Sequence, residues 1–179
     1  MPGHDEMLLE RARRIRLLAL DVDGVLTDGR IYFDSEGREL KAFYTRDGLG
    51  LKALQRCGVR LAIITGRESP MVTQRARELD IEFVYQNASD KLSAYQELLR
   101  ESGLEESEVC YAGDDWIDLP VLQRCGLAIT VPAADEVVRE RAHWVTKREG
   151  GEGAVREICD LILEAQGKTG HLLESLLDR

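Results

Sequence analysis

Ile15-Arg16-Leu17-Leu18-Ala19-Leu20-Asp21-Val22-Asp23-Gly24-Val25-Leu26-Thr27-Asp28-Gly29 is the stretch on which the reading of this chain turns. The apolar run up to Leu20 is short, β-compatible and bounded by turn residues, so it reads as a buried strand. Asp21 and Asp23 stand where that strand ends, and open α/β sheets place their chemistry at strand ends. Two acids about 4 Å apart repel by roughly 4 kcal/mol at an effective dielectric of 20. A divalent cation, or a proton on one acid, relieves that repulsion. Taken alone, the stretch also fits a turn with solvated acids, so the rest of the chain has to decide.

Working outward, short strands alternate with helices. Residues 5–14 read as an amphipathic helix that covers the sheet edge. Ile31-Tyr32-Phe33-Asp34 and Glu39-Leu40-Lys41-Ala42-Phe43-Tyr44 flank Ser35-Glu36-Gly37 and predict a β-hairpin. A helix opens at Gly48 and Gly58 stops it. Residues 59–65 form a second buried strand. Ser69-Pro70, an N-cap with Pro at the first helical position, opens a helix to Leu79. Strands follow at 81–85, 109–114, 127–131 and 143–146, with helices at 91–101, 117–125 and 135–142 between them. The closing helix, 153–166, repeats Val155, Ile158, Leu161, Ile162 and Ala165 at helical spacing. The alternation implies an α/β fold with a doubly wound, Rossmann-like parallel sheet. We read residues 1–179 as a single domain with a hairpin insertion at about 31–44 and a tail at 168–179. The tail's Leu172, Leu173, Leu176 and Leu177 call for a surface to bury against.

Composition narrows the function. A chain of 179 residues can build one domain with a substantial core, and 44% hydrophobic residues argue against disorder. A formal charge of -9 speaks against a nucleic-acid partner. No apolar run approaches a membrane span, and Met1-Pro2-Gly3-His4-Asp5-Glu6 does not read as a signal peptide. Cys57, Cys110, Cys125 and Cys159 are widely spaced with no Cys-x-x-Cys, which fits reduced thiols in a cytoplasmic protein and no zinc site. His4, His143 and His171 lie outside any motif, so a histidine-based mechanism has little support.

Four features fall at strand or helix ends: Asp21 with Asp23, Thr65 in Ile64-Thr65-Gly66-Arg67, Lys91, and Gly113-Asp114-Asp115-Trp116-Ile117-Asp118. Each is common as a structural or solvated group. Together they gain force, because a parallel sheet gathers its carboxyl ends at one edge. Carboxylates can hold Mg²⁺, a hydroxyl and an ammonium can hold phosphate oxygens, and one carboxylate oxygen is left to attack phosphorus. The four features resemble the motifs of the haloacid dehalogenase superfamily of phosphatases. Leu40-Lys41-Ala42-Phe43, Arg46-Asp47-Gly48, Ile63-Ile64-Thr65-Gly66-Arg67, the stretch 113–121 and the stretch 153–161 are similar to one family within it, the 3-deoxy-D-manno-octulosonate (KDO) 8-phosphate phosphatases.

The resemblance covers about residues 14–168 and implies a capless haloacid dehalogenase fold. It implies that Asp21 is a nucleophile forming an aspartyl-phosphate and that Asp23 is the general acid/base. Asp21, the backbone carbonyl of Asp23, and Asp114 are then the Mg²⁺ ligands, and Thr65 and Lys91 hold the phosphate. Asp115 and Asp118 would hold metal-bound waters or neighbouring backbone. Tyr44, Thr45, Arg46, Asp47 and Gly48, taken as a loop, would contact a sugar-acid phosphate in the company of Asp23, Lys52, Arg67, Arg75 and Lys91. It also implies a homotetramer whose subunits complete each other's sites. The segments between Asp23, Thr65 and Lys91 are too short for a cap, and water and substrate selection still need a cover. Gly150-Gly151-Glu152-Gly153 departs from the Gly-Gly-Arg-Gly common in that family. Rival readings are a phosphatase for another sugar acid, such as a nonulosonate 9-phosphate, an idle phosphatase-like interaction module, and a signalling receiver. Asp23 argues against the receiver, because an acid beside the nucleophile hastens loss of the phosphoryl group.

Overall fold

In chain order the strands are β1 (Leu17–Leu20), β2 (Tyr32–Phe33), β3 (Glu39–Leu40), β4 (Arg60–Ile64), β5 (Phe83–Tyr85), β6 (Val109–Ala112), β7 (Leu127–Thr130) and β8 (Trp144–Val145). The helices are α1 (Glu6–Arg13), α2 (Thr45–Arg56), α3 (Pro70–Glu78), α4 (Lys91–Ser102), α5 (Leu119–Leu122), α6 (Glu136–Arg139), α7 (Ala154–Ala165) and α8 (Thr169–Leu177). These come from a computed structural model that describes residues 5–177. His4, both ends of the expected 1–179 domain, the last residues of the tail and the side chain of Leu176 lie outside the described residues.

β1 sends Leu18 and Leu20 into one apolar layer and Leu17 and Ala19 into the other, and all four are buried. A strand apolar on both faces needs cover on both. Residues of α1, α2, α3 and α7 supply it on the first face, and residues of α4, α5 and α6 on the second. The six-stranded sheet runs β5-β4-β1-β6-β7-β8 and all its pairings are parallel. β1 is flanked by β4 and β6, with Leu20 opposite both Ile63 and Ala112. The residues that follow, Asp21, Thr65 and Gly113–Asp114, therefore emerge side by side. Among the described residues no helix is long and apolar enough to cross a membrane.

Several elements differ from the sequence reading. α1 does not close an edge: Leu8 and Ala12 join the α7 layer, and Arg11 Nη1 donates to Gly126 O at 2.8 Å, beside the inner strand β7. The hairpin strands shorten to two residues each. Its turn is pinned by Asp34, which accepts from Glu36 N and Arg38 N at 2.9 Å. The expected 117–125 helix becomes a 3₁₀ turn followed by the four residues of α5, because the chain must fold back at Gly126, where a Cβ would stand 2.3 Å from Ser107 O. Ser69 precedes α3 but does not cap it through its hydroxyl, which is buried without a partner.

Helix α2 opens at Thr45, so Thr45–Gly48 is its first turn rather than a loop, and Asp47 has a structural task on that turn. That side chain is 2% exposed, and its Oδ1 accepts Arg156 N at 2.8 Å. It caps α7 from across the fold, where the N-cap residue is Gly153 and has no side chain to do so. Burial raises this carboxyl from its ordinary 3.8 to about 6, against the pull of the nearby Arg156 N–H, Arg75 and Arg156. The native state then binds the proton more tightly than the unfolded chain, so stability falls as pH rises through that window. Relative to Asp47→Asn, the wild type gains stability as pH drops from about 7 to about 4, by up to about 3 kcal/mol, measurable as urea midpoints across pH.

Candidate active site

Asp21 leaves β1 with its backbone N–H still bonded to Ala112 O at 2.9 Å. Its side chain accepts Val22 N at 2.7 Å through Oδ1 and meets Lys91 Nζ at 2.9 Å through Oδ2. The chain then turns tightly over 22–26, where Gly24 takes φ +94°. A Cβ at Gly24 would stand 2.0 Å from Asp114 Oδ2, so this glycine is what lets the two acidic turns meet. Gly150 presses on the same turn from outside, where a Cβ would lie 1.8 Å from Gly24 O.

Lys91 opens α4, whose N-cap Asp90 accepts Leu92 N and Ser93 N. Its side chain is wholly buried between Asp21 and Asp118, with Nζ 2.6 Å from Asp118 Oδ1. Burial works against its charge, but the two carboxylates outweigh it and hold its pKa above the ordinary lysine value. Asp118 also accepts Tyr111 Oη at 2.6 Å and the backbone N–H groups of Asp114 and Asp115 at 3.0 and 3.1 Å. Each of its oxygens therefore takes two donors and has no lone pair to spare. Asp115 is exposed and accepts Trp116 N at 2.7 Å. Both side chains thus hold neighbouring backbone.

One carboxylate oxygen from each of Asp21, Asp114 and Asp118 lies within 4.8 Å of the others, a grouping able to hold a metal ion. The saturation of Asp118 leaves Asp21 and Asp114 as the side chains with room for one. Asp114 Oδ1 is buried and has no hydrogen-bond partner among the described residues. Burial, then the charges of Asp21 and Asp118, raise the Asp114 carboxyl to about 7. Burial and Asp118 raise Asp21 as well, against Lys91. A pair of all-oxygen donors short of positive charge fits Mg²⁺, and a backbone carbonyl such as that of Asp23 suits the same hard ion.

Thr65, 1% exposed, ends β4 with its N–H on Tyr85 O at 2.9 Å and its own carbonyl accepting Ala88 N at 3.0 Å. The expected substrate residues are spread more widely. Tyr44 is the N-cap residue of α2, near Gly153, and Thr45 and Arg46 are exposed on the first turn. Gly48 is buried against Arg75, whose guanidinium also faces the Phe43 ring at 5.7 Å and Glu78 at 3.2 Å. Arg67 reaches across to Glu39 of the hairpin at 3.2 Å. Lys52 sits further along α2 and pairs with Asp80, past the end of α3, apart from the acids.

The sequence reading missed Lys41. Its Nζ lies 2.6 Å from Asp23 Oδ1 and 3.0 Å from Glu39 Oε1. Burial opposes its charge, yet the two acids leave its pKa above the ordinary value. The residue sits inside the matched stretch 40–43, but no spacing rule pairs positions 23 and 41. It also lines a cleft of about 260 Å³ with Phe43, Met71, Gln74, Arg75 and Glu78. A groove of about 780 Å³ along 68–78 has no such link to the acids, so we take the smaller cleft, which Lys41 joins to Asp23, as the substrate side of the site.

The parallel sheet, with its acids and one buried lysine at the carboxyl edge, defines a haloacid dehalogenase-like hydrolase, and residues 81–158 match that family. The chain is 49% identical to 3-deoxy-D-manno-octulosonate 8-phosphate phosphatase KdsC of Yersinia pestis, over 90% of this chain and 86% of that protein. It superposes with a TM-score of 0.94 on the Moraxella catarrhalis 3-deoxy-D-manno-octulosonate 8-phosphate phosphatase in complex with magnesium, phosphate and KDO, at 46% identity over 97% of this chain and 99% of that one. The cobalt-bound Haemophilus influenzae phosphatase (YrbI) gives 0.86 at 37% identity, over 89% and 93% of the two chains. This chain belongs to the KDO 8-phosphate phosphatase family.

Two outcomes follow from this geometry. Lys91→Met leaves Asp21 and Asp118 buried without a cation, and urea denaturation of the metal-free protein should show a loss of about 3–5 kcal/mol. Mg²⁺ should raise the melting temperature more at about pH 8 than at about pH 5.5, because protons compete for Asp21 and Asp114 below neutrality. Asp114→Asn should remove most of that rise.

Proposed function

We propose that this chain is a Mg²⁺-dependent phosphomonoesterase that hydrolyses KDO 8-phosphate to KDO and inorganic phosphate, a step in lipopolysaccharide precursor synthesis. The observation that carries the reading is the buried trio of Asp21, Lys91 and Asp118 set against the unpartnered Asp114 oxygen. Family membership points the same way.

The chemistry divides among these residues as follows. Asp21 is the nucleophile: one of its carboxylate oxygens bonds to phosphorus as the bond from phosphorus to the sugar oxygen breaks. Asp23 gives its proton to that departing oxygen. It then takes a proton from the water that attacks the aspartyl-phosphate, which releases phosphate and restores Asp21. Thr65 and Lys91 hold the non-bridging oxygens, and Lys91 also offsets the charge of the nucleophile so that it can meet an anion. Asp21, Asp114 and the Asp23 carbonyl would hold Mg²⁺, which supplies charge neutralisation at the phosphoryl group. Arg75, which lines the cleft, and Arg67, paired with Glu39 of the hairpin, suit the sugar carboxylate, since an arginine fork matches that group. Tyr44, Thr45, Arg46 and Gly48 would complete the substrate contacts. Asp47, which caps α7, and Lys52, which pairs with the exposed Asp80, belong to the same proposed set of substrate contacts.

We take residues 1–179 as one catalytic domain. Its partner is a second copy of itself, within a homotetramer. Ile31, Tyr32, Phe33 and Leu40 of the hairpin are exposed apolar side chains beside the acids, where a neighbour could cover the site. Four free cysteines, three of them buried, fit a reducing cytoplasm. A nine-carbon sugar-acid phosphate is the second reading. Glu152, an exposed acid on the turn before α7 where the family commonly has arginine, is the departure that leaves the choice of sugar acid to the assay.

The test is phosphate release from KDO 8-phosphate, a nonulosonate 9-phosphate and a neutral hexose 6-phosphate with Mg²⁺. KDO 8-phosphate should give the highest kcat/KM, and Asp21→Asn should lose at least about 10³-fold. Equal activity in the mutant, or a preference for the hexose phosphate, would overturn the proposal.

A further inference from the structure

The acids at the strand ends differ in how they are anchored. Asp21 is held by the Val22 N–H and by Lys91. Asp118 accepts two backbone N–H groups and two side chains. Asp114 is wedged against Gly24. The Asp23 carboxyl group has no backbone donor: among the described residues its one bonded partner is Lys41, at 2.6 Å. The Lys41 side chain is 1% exposed, against 25% for that of Asp23. Lys41 lines the cleft, and its nitrogen is engaged by two carboxylates, Asp23 and Glu39. Glu39 in turn holds Arg67 through the same Oε1. A chain of charged contacts thus runs from an arginine on the substrate side to the acid beside the nucleophile.

We propose that Lys41 is a positioning residue: held by Glu39, it fixes the Asp23 carboxyl group in the orientation that meets the sugar oxygen as it leaves. A carboxyl group on a turn otherwise samples several rotamers, and proton transfer needs it within hydrogen-bond reach of one atom. Both holding residues ride on or just after the hairpin, so the seating of the hairpin sets the aim of Asp23. The inference rests on the reading of Asp23 as the general acid.

The test compares kcat/KM for two leaving groups. KDO 8-phosphate leaves as an alkoxide that needs a proton, whereas p-nitrophenyl phosphate leaves as a stable phenolate that does not. Asp23→Asn should lose about 10²-fold or more on the sugar phosphate beyond its loss on the aryl phosphate. Lys41→Met should show the same selective loss, about tenfold to a hundredfold, with KM for the sugar phosphate changed by less than about threefold. Glu39→Gln should shift the ratio in the same direction by a smaller factor. If Asp23→Asn discriminates between the leaving groups and Lys41→Met loses equally on both, the positioning role is wrong while the assignment of Asp23 survives. If Asp23→Asn itself does not discriminate, the assignment of the general acid falls and the role of Lys41 goes with it. Should Lys41→Met fail to fold by circular dichroism, Glu39→Gln decides, and an unchanged ratio there overturns the inference.

Discussion

Three carboxylates packed within 4.8 Å around a single buried ammonium are the constraint on which the rest of this molecule depends. If all were ionised, one positive charge would face three negative ones in a poorly solvated place, which is unfavourable by many times the thermal energy. The fold deals with Asp118 completely, through Lys91, Tyr111 and two backbone N–H groups. It leaves Asp21 and Asp114 with raised proton affinity and one oxygen without a partner. What remains is an all-oxygen site short of positive charge, which suits a dication.

Holding such a cluster together requires strand ends that cannot drift. β1 lies between β4 and β6 in matched register, so Asp21, Thr65 and Asp114 take their places from backbone hydrogen bonds rather than from side-chain packing. The turns then have to approach more closely than side chains allow, hence glycine at positions 24 and 150. The loop carrying Gly150 leads straight into α7, whose buried face joins α1 and α2 in one apolar layer. Asp47 ties α2 to the first turn of α7. Core packing on one face of the sheet is in this way transmitted to the geometry of the acids at its edge.

What the sequence made legible was local. The run through Leu20, the alternation of strands and helices and the stripe of α7 all follow from neighbours within a few positions, and the structure has each of them. The harder parts depend on partners far along the chain. Lys41 and Asp23 are 18 positions apart, Lys91 and Asp118 are 27, and Asp47 and Arg156 are 109. Periodicity says nothing about such pairs. The loop expected over 44–48 came with the resemblance, and tertiary contact makes it the first turn of α2 instead, with Asp47 at the head of α7 and Gly48 under Arg75. The 117–125 helix was overextended for the same reason, because the fold-back at Gly126 against Ser107 is invisible from that segment alone.

The two partners of Lys91 divide its work. On the proposed mechanism, a lysine paired only with Asp21 would lose its anchor once that carboxylate became an acyl phosphate and its negative charge moved out onto the phosphoryl oxygens. Here the shorter contact, 2.6 Å, is to Asp118, and Asp118 is itself fixed by groups that take no part in the reaction. The ammonium therefore keeps its place whichever atom carries the charge. A point charge that stays still while the anion moves past it is what a phosphoryl-transfer site needs, because its reorganisation has already been met in folding. Asp118, which by its exposure and geometry alone could pass for a metal ligand, is better understood as the residue that makes Lys91 rigid.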